Sequence, residues 1–435
     1  MANTALNFED DRRVAIVVLG DLGRSPRMQY HALALAEAGT GVDLIGYAGN
    51  PPIRAVRDHR RIRLHELPPP RLLAPRHLPQ VVWIAALLAL RCRQAAQLLW
   101  LLLFRIAGLD TILVQNPPAI PTLLIGVLAA RARSAQLVID WHNFGYSMLA
   151  LKLGARHPAV RLARWYERTL GRRAARHMCV SQAMRAELAT HWGISGATVL
   201  YDRPAAQFAP AQPSARDALI RRLGSSFGLP LDGARRPALI VSPTSWTDDE
   251  DYSMLLEAAA RCDQLIARHD RAAGKRAFAD LVIVISGQGP LRDQYERKIR
   301  GLALARVHLR TLWLEPEDYP LLLGAADLGL CCHRSSCGLD LPMKIADLFG
   351  AGAPVLALDY GPCLREQIRE GENGLLFRDA TELAALLYEL FEGFPGPAPV
   401  LDRLRANLVR LPTMSWEEGW KAEAAAVFAP NQARG

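Results

Sequence analysis

The chain has 435 residues, half of them hydrophobic, which is more than one hydrophobic core usually supports; a folded two-domain protein is expected and a disordered one excluded. Its net charge of +9 at pH 7, carried mostly by arginine, calls for nucleotide phosphates or acidic lipid headgroups as partners; no nucleic acid is expected, because the basic residues lack interleaved aromatics and a binding motif. Seven cysteines without a CxxC pair indicate neither a disulfide framework nor a zinc knuckle, and they fit a reducing cytoplasm.

The opening MANTALNFEDDRR has no apolar core, so neither a secretory signal nor a leading anchor is expected. Strands at 14–19, 42–47, 62–67, 111–115, 137–140 and 177–181 alternate with helices, the pattern of a parallel sheet with right-handed crossovers. Ligands of such sheets bind beyond the carboxyl ends of the strands, so the loops there carry the functional reading. The first, GDLGRSPR, holds Gly20, Asp21, Gly23 and Arg24; its glycines allow a tight turn, Ser25 can cap the next helix and Pro26 can start it. The spacing is not GxGxxG, so this loop alone is weak evidence.

Residues 81–107 are strongly apolar, but Arg91, Arg93 and Arg105 cut them into runs of about ten, short of the ~20 needed to span a bilayer. With Trp83 and Trp100 they suit a helix lying in the headgroup region; a helix buried between domains is the alternative. The next strand ends at Asn116, followed by a proline-stiffened loop. The fifth ends in Asp140, Trp141, His142, Asn143, where Asp140 or His142 can take a proton from a sugar hydroxyl; the structural alternative has Asp140 capping a helix and His142 stacked in an interface.

A segment rich in Pro, Arg and Gly at 206–236 reads as a linker with a short helix inside it, separating a domain at 1–205 from one at 237–410, with a C-terminal helix at 411–435 crossing back to the first. Strands at 238–242, 281–286, 307–311, 328–332 and 355–358 build the second sheet. Thr244 and Ser245 end its first strand. The acids at 248–251 read as a helix cap, not as metal ligands. Gly287 and Gly289 form a turn that lets backbone approach a base or phosphate. In SSCGLDLPMKIADLFGAGAP, a loop with Ser336 and Gly338 runs into a helix, and Asp340, Lys344 and Asp347 follow at intervals of four and three that align them on one helical face.

VVLGDLGRSPRMQYHALALA, VQNPPAIPTL, IDWHNFGYSML, YDRP, SPTSWTDDEDYSMLLEA, GQGPLR, WLEPEDYPLLLGAADLGLC, SSCGLDLPMKIADLFGAGAPV and ENGLLF occur in this order, and together they resemble the chitobiosyldiphosphodolichol beta-mannosyltransferase family. The resemblance implies an α/β GT-B fold of two doubly wound Rossmann-like domains facing a cleft. It implies an inverting beta-1,4-mannosyltransferase that moves mannose from GDP-mannose to a polyprenyl- or dolichyl-diphosphate-linked GlcNAc2-type acceptor, with no essential metal. Catalysis then falls to Asp140 or His142, with Asp21 behind them. Donor contacts fall to Gly20, Gly23, Thr244, Ser245, Gly287, Gly289, Ser336 and Gly338, to Asp340 on sugar hydroxyls, Lys344 on the leaving diphosphate and Asp347 on the ribose. Acceptor contacts fall to Arg24, Asn116, Trp141 and Asn143.

Well-known members of that family begin with a membrane-spanning segment. Here membrane contact, peripheral on a cytoplasmic face, passes to helix 81–107 and to Arg161, Arg164, Arg168 and Arg172; other glycosyltransferases of the pathway are further expected partners. A GT-B transferase with another donor, or with another lipid-linked acceptor in surface polysaccharide synthesis, is the alternative.

Overall fold

The computed structural model describes residues 12–69, 80–227, 236–314, 318–411 and 414–429. It divides into two compact units, Met1–Tyr201 with Glu417–Gly435, and Asp202–Trp416. The first contains β1 (Arg13–Asp21), β2 (Gly41–Tyr47), β3 (Ile62–Leu67), β4 (Leu109–Asn116), β5 (Gln136–Trp141), β6 (Arg176–Cys179) and β7 (Thr198–Val199) in the order β3-β2-β1-β4-β5-β6-β7. The second contains β8 (Ala238–Thr244), β9 (Leu281–Gly287), β10 (Val307–Leu312), β11 (Leu328–Cys331), β12 (Val355–Leu358) and β13 (Gly374–Phe377) in the order β10-β9-β8-β11-β12-β13. All named pairings are parallel, Val14 opposite Val42 and Thr111 in one sheet, Ile240 opposite Ile283 and Leu328 in the other. Each sheet reverses its winding between neighbours, at β1/β4 and at β8/β11, where a doubly wound sheet opens a crevice.

Helices cover both faces, so the central strands read as near-continuous apolar runs; β2, β8 and β9 are buried along their whole length. Burying side chains such as Ile16, Leu44, Leu113 and Ile139 in one core and Ile240, Ile283, Leu330 and Leu356 in the other contributes roughly 1.5–3 kcal/mol apiece. Two strands escape sequence reading. β7 is only two residues long, and β13 begins with a glycine directly after a turn.

The 206–236 segment is not a free linker. It belongs to the second unit from Asp202 onward, carries the Pro213–Phe227 helix, and is pinned where Ala211 N–H donates to the Gly324 carbonyl at 2.9 Å. Its residues beyond Phe227 and before Arg236 lie outside the described set. The last described stretch is helical throughout, passing from an α-helical turn, Trp416–Gly419, through a π-helical one, Trp420–Ala424, into a tighter one, Ala425–Phe428. It is tied to the first unit by Trp420 Nε1–H donating to His31 Nδ1 at 3.0 Å and by the Gln136 amide donating to the Val427 carbonyl at 2.9 Å.

The apolar 81–107 stretch forms a helix, Gln80–Trp100, continued by a π-helical turn, Leu101–Arg105. Leu98, Leu101 and Leu102 are buried within the first unit, and Arg133 secures the far end through the carbonyls of Leu103 and Ile106 at 2.6 and 2.8 Å. Trp100 and Phe104 stay exposed; the side chain of Trp83 is outside the described residues. Among the described residues no helix is long and apolar enough to cross a membrane.

Candidate functional site

In the first unit the site grows from the carboxyl end of β1. The Asp21 carboxylate accepts from Gly23 N–H at 3.0 Å and from the side-chain amide of Asn50 at 2.7 Å, stapling this loop to the one after β2. It is therefore a loop organiser and not a free base. Gly23 is a glycine because a Cβ would strike the Asn50 and Pro51 carbonyls, whereas one at Gly20 would meet only ordinary contacts. Ser25 gives the Pro26–Glu37 helix no side-chain cap; its hydroxyl donates to the Asp21 carbonyl at 3.0 Å. Arg24 is exposed at the loop edge.

That helix sends two buried side chains to the end of β5. Arg27 donates to both carboxylate oxygens of Asp140, at 2.8 and 3.0 Å, and to the Leu200 carbonyl at 3.0 Å. His31 receives the Trp420 N–H on Nδ1, so its proton is on Nε2, which faces Asp140 at 3.2 Å. His142 Nε2 also faces Asp140, at 2.9 Å. Burial pushes the Asp140 carboxyl up, but Arg27 and His142 hold it well below the ordinary carboxylate range. Asp140 is wholly buried and cannot touch substrate. Its role is to hold His142 with the proton on Nε2 and the lone pair on Nδ1, and the His142 side chain keeps 22% exposure, so it alone of the pair can meet a ligand.

The acceptor residues expected around it are mostly scaffold. Asn116 is buried, its amide donating to Glu167 at 3.0 Å and to the Asn143 carbonyl at 3.1 Å. Trp141 is buried against Phe144, His177 and Trp192, donating to His177 Nδ1 at 3.2 Å. Asn143 accepts from Phe144 N–H at 2.6 Å and from the Ser147 hydroxyl at 3.1 Å. Glu167, which no sequence pattern marked, accepts from the N–H groups of Gly145 and Tyr146 at 2.8 Å each and so fixes the loop that carries His142; burial pushes its carboxyl up. Of the four expected acceptor residues, Asn116 and Trp141 are buried, Asn143 is half-buried and Arg24 is exposed.

In the second unit Glu250 is the hub. It is buried at the end of the loop after β8, and its carboxylate accepts from the Thr244 hydroxyl at 2.6 Å and Ser245 N–H at 2.8 Å while pairing with the Lys344 ammonium. Burial pushes the Lys344 amine down, but Glu250 more than restores it, so Lys344 stays a cation. The Thr244 oxygen is occupied on both sides, since it also accepts from Trp246 N–H at 2.8 Å, and is not free for a donor phosphate. Ser245 stays half-exposed. Gly287 and Gly289 are explained by packing, because a Cβ on either would strike the carbonyl of Thr244 or of Ser245. Of the four acids at 248–251, only Asp251 caps the following helix.

The helix after β11 spans Met343–Gly350, so Asp340 precedes it and does not share its face with Lys344 and Asp347. The Asp340 carboxylate organises the loop instead, accepting from the Ser335 hydroxyl and facing His333 Nε2 at 3.2 Å. Gly338 has φ +72°, which favours glycine, and its N–H donates to Ser335 at 2.8 Å, so it is not free for a diphosphate; Ser336 is half-buried beside it. His333, missed from the sequence, bridges Asp340 and Asp249, the latter at 3.1 Å; burial opposes its charge, but the two carboxylates raise it to about 9, a fixed cation at neutral pH. Asp347 has no side-chain hydrogen bond among the described residues, and burial, with Asp202 nearby, pushes its carboxyl up to about 8. Among the described residues no group of three or more His, Cys, Asp and Glu is arranged to hold a metal.

The second unit thus presents two cations, Lys344 and His333, with an unpartnered carboxyl on the helix of the first. The first unit presents one imidazole poised by a buried carboxylate. The missed partners left one signal: Arg27 and His31 lie four apart on an otherwise apolar helix face, where polar side chains need buried partners.

Residues 23–201 match the glycosyl transferase 4-like domain, and residues 246–393 the glycosyl transferases group 1 domain. A mouse protein named chitobiosyldiphosphodolichol beta-mannosyltransferase is 41% identical over 97% of this chain and 90% of its own. The human protein of that name is 42% identical over 94% and 91%. UDP-glycosyltransferase TURAN of Arabidopsis thaliana is 41% identical over 94% and 95%. Among solved structures, Anabaena Alr3699/HepE in complex with UDP-glucose superposes with TM-score 0.64 at 16% identity, covering 96% of this chain and 99% of that one. WaaG, a glycosyltransferase involved in lipopolysaccharide biosynthesis, gives 0.61 at 15%, covering 94% and 98%. At such identities these two likenesses bear on the fold alone.

Proposed function

Because the chain belongs to the chitobiosyldiphosphodolichol beta-mannosyltransferase family, a family of GT-B glycosyltransferases, we propose that it transfers mannose from GDP-mannose to the second sugar of a lipid-diphosphate-linked chitobiose, with inversion. The observation that carries this reading is the 41–42% identity to enzymes of that name over nearly the whole of both chains.

The reaction is a single displacement. The acceptor hydroxyl oxygen bonds to the anomeric carbon as the bond from that carbon to the diphosphate oxygen breaks, and GDP leaves with the electron pair. His142 Nδ1 takes the hydroxyl proton, supported by the hydrogen bond from its Nε2–H to Asp140. Lys344 and His333 supply positive charge for the leaving diphosphate, a place where fixed charge lowers the barrier because it is greater in the transition state than in the substrate. These two cations do this work without an essential metal, which activity undiminished by EDTA would bear out. Asp347 binds the ribose hydroxyls.

The protein works on a membrane surface, as a lipid-linked acceptor requires, and we place it peripherally on the cytoplasmic face. Support comes from a group of exposed large apolar side chains: Trp100, Phe104, Leu124, Leu128, Leu162 and Trp165 lie on neighbouring helices of the first unit, beside exposed Arg161, Arg164 and Arg168. Arg172, expected on the same basic face, is exposed as well and also donates to the Trp192 carbonyl.

Purified protein incubated with GDP-mannose and polyprenyl-diphosphate chitobiose should yield a trisaccharide whose new mannose a β-mannosidase removes. No product, or an α-linked one, would sink the reading. The name of the Arabidopsis relative favours a second reading, a UDP-sugar donor. Calorimetry with GDP and UDP separates the two, since GDP must bind the more tightly for the first to stand.

A further inference from the structure

A cavity of about 440 Å³ lies in the first unit between the Gln80–Trp100 helix and the loop after β4. Its walls include Leu19 at the end of β1, Tyr47 at the end of β2, Arg91 and Ala95 on the helix, and Pro118 and Ile120 on the loop. We propose that this groove binds the diphosphate and the first isoprene units of the lipid-linked acceptor, with Arg91 on the diphosphate and Leu19, Ala95, Pro118 and Ile120 around the hydrocarbon. The assignment rests on the transferase reading above and adds the subsite to it.

Three observations converge. The groove sits at the carboxyl edge of the sheet, and its loop leaves β4 at Asn116, whose carbonyl holds the His142 N–H at 2.9 Å, so groove and imidazole share one anchor. Its chemistry is that of the junction between a diphosphate and a hydrocarbon: apolar walls with one guanidinium, which bonds to the Tyr47 hydroxyl and reaches Gln94 at 3.4 Å. Its rim continues into exposed apolar surface, because Ile120 is 57% exposed and the helix that forms the other wall ends at exposed Trp100. The volume falls within the roughly 300–1,000 Å³ of small-molecule sites, room for a few isoprene units but not for a whole polyprenyl tail.

The test is binding, measured by calorimetry in detergent with geranylgeranyl diphosphate as the probe and inorganic diphosphate and geranylgeraniol as controls. The wild-type chain should bind the probe at least about tenfold more tightly than either control. Ala95→Trp, which fills the groove, should cost about tenfold or more for the probe and leave GDP affinity unchanged; Arg91→Gln should weaken the probe and inorganic diphosphate alike. Cys92→Trp, at an exposed position of the same wall, replaces Ala95→Trp if that variant fails to fold. Equal probe affinity in wild type and filled variants overturns the proposal. Failure of the transferase reading is seen separately, as probe binding intact with no mannose transfer.

Discussion

The Asp140 carboxylate is reached by Arg27 and by two imidazoles without meeting solvent, and that arrangement divides labour between two residues that look interchangeable in sequence. His142→Ala should lower kcat by about 10²–10⁴ with GDP affinity kept, because it removes a proton acceptor from a half-exposed position. Asp140→Asn should lower activity too, but also destabilise the fold by about 3–5 kcal/mol in a denaturant titration at pH 7, since it strands the Arg27 charge in the core. The folded Asp140 lies well below its ordinary 3.8, so its contribution is complete above that value and is lost as the pH falls below it. The stability gap between wild type and Asp140→Asn should therefore hold near neutrality and close in acid; a gap that is constant down to about pH 2 counts against the ion pair. His333 behaves oppositely. Its value is raised from 6.5 to about 9, so its stabilisation, on the order of 3 kcal/mol, is complete below 6.5 and is lost as the pH rises through about 9. Denaturant midpoints of His333→Gln and wild type should converge over that interval.

At the scale of elements, the loop after β8 and the helix after β11 are joined by the pair of Glu250 and Lys344. Glu250→Gln leaves a largely buried ammonium without its carboxylate and should cost about 3–5 kcal/mol. Saturating GDP, which brings negative charge to Lys344, should raise the melting temperature of this variant more than that of wild type; an equal increment would show that Lys344 does not meet the diphosphate. The same elements show where sequence patterns end. Residues 248–251 follow the rule that acids gather at a helix start, yet only Asp251 caps, while Glu250 and Asp249 turn to Lys344 and His333. Helical spacing between Asp340 and Lys344 means nothing when the helix begins at Met343, with Pro342 as its cap residue.

On the scale of the whole molecule, charge and exposed apolar surface act together. Leu162→Ser combined with Trp165→Ser removes two side chains each about 62% exposed, and should weaken binding to vesicles containing anionic phospholipid by at least about tenfold, with activity on a detergent-solubilised acceptor kept. Raising the salt should weaken wild-type binding further, as the exposed arginines require. Vesicle binding unchanged in the double variant would move membrane contact to another face.

The sequence by itself determined the two parallel sheets, nearly every strand and the family, because burial on both faces writes continuous apolar runs and long motifs keep their order. It also put His142 on a strand-end loop and Lys344 on the helix that follows another. Only the tertiary structure decided which polar residues are spent. Asp21, Trp141, Thr244, Asp340 and the amide N–H of Asn116 are the right groups in the right places, yet each is engaged inside the protein, by Asn50, His177, Glu250, His333 and Glu167 in that order. The physical reason is that a buried polar group must be paired, and the partner comes from an element distant in the chain: 113 residues separate Arg27 from Asp140, and 94 separate Glu250 from Lys344.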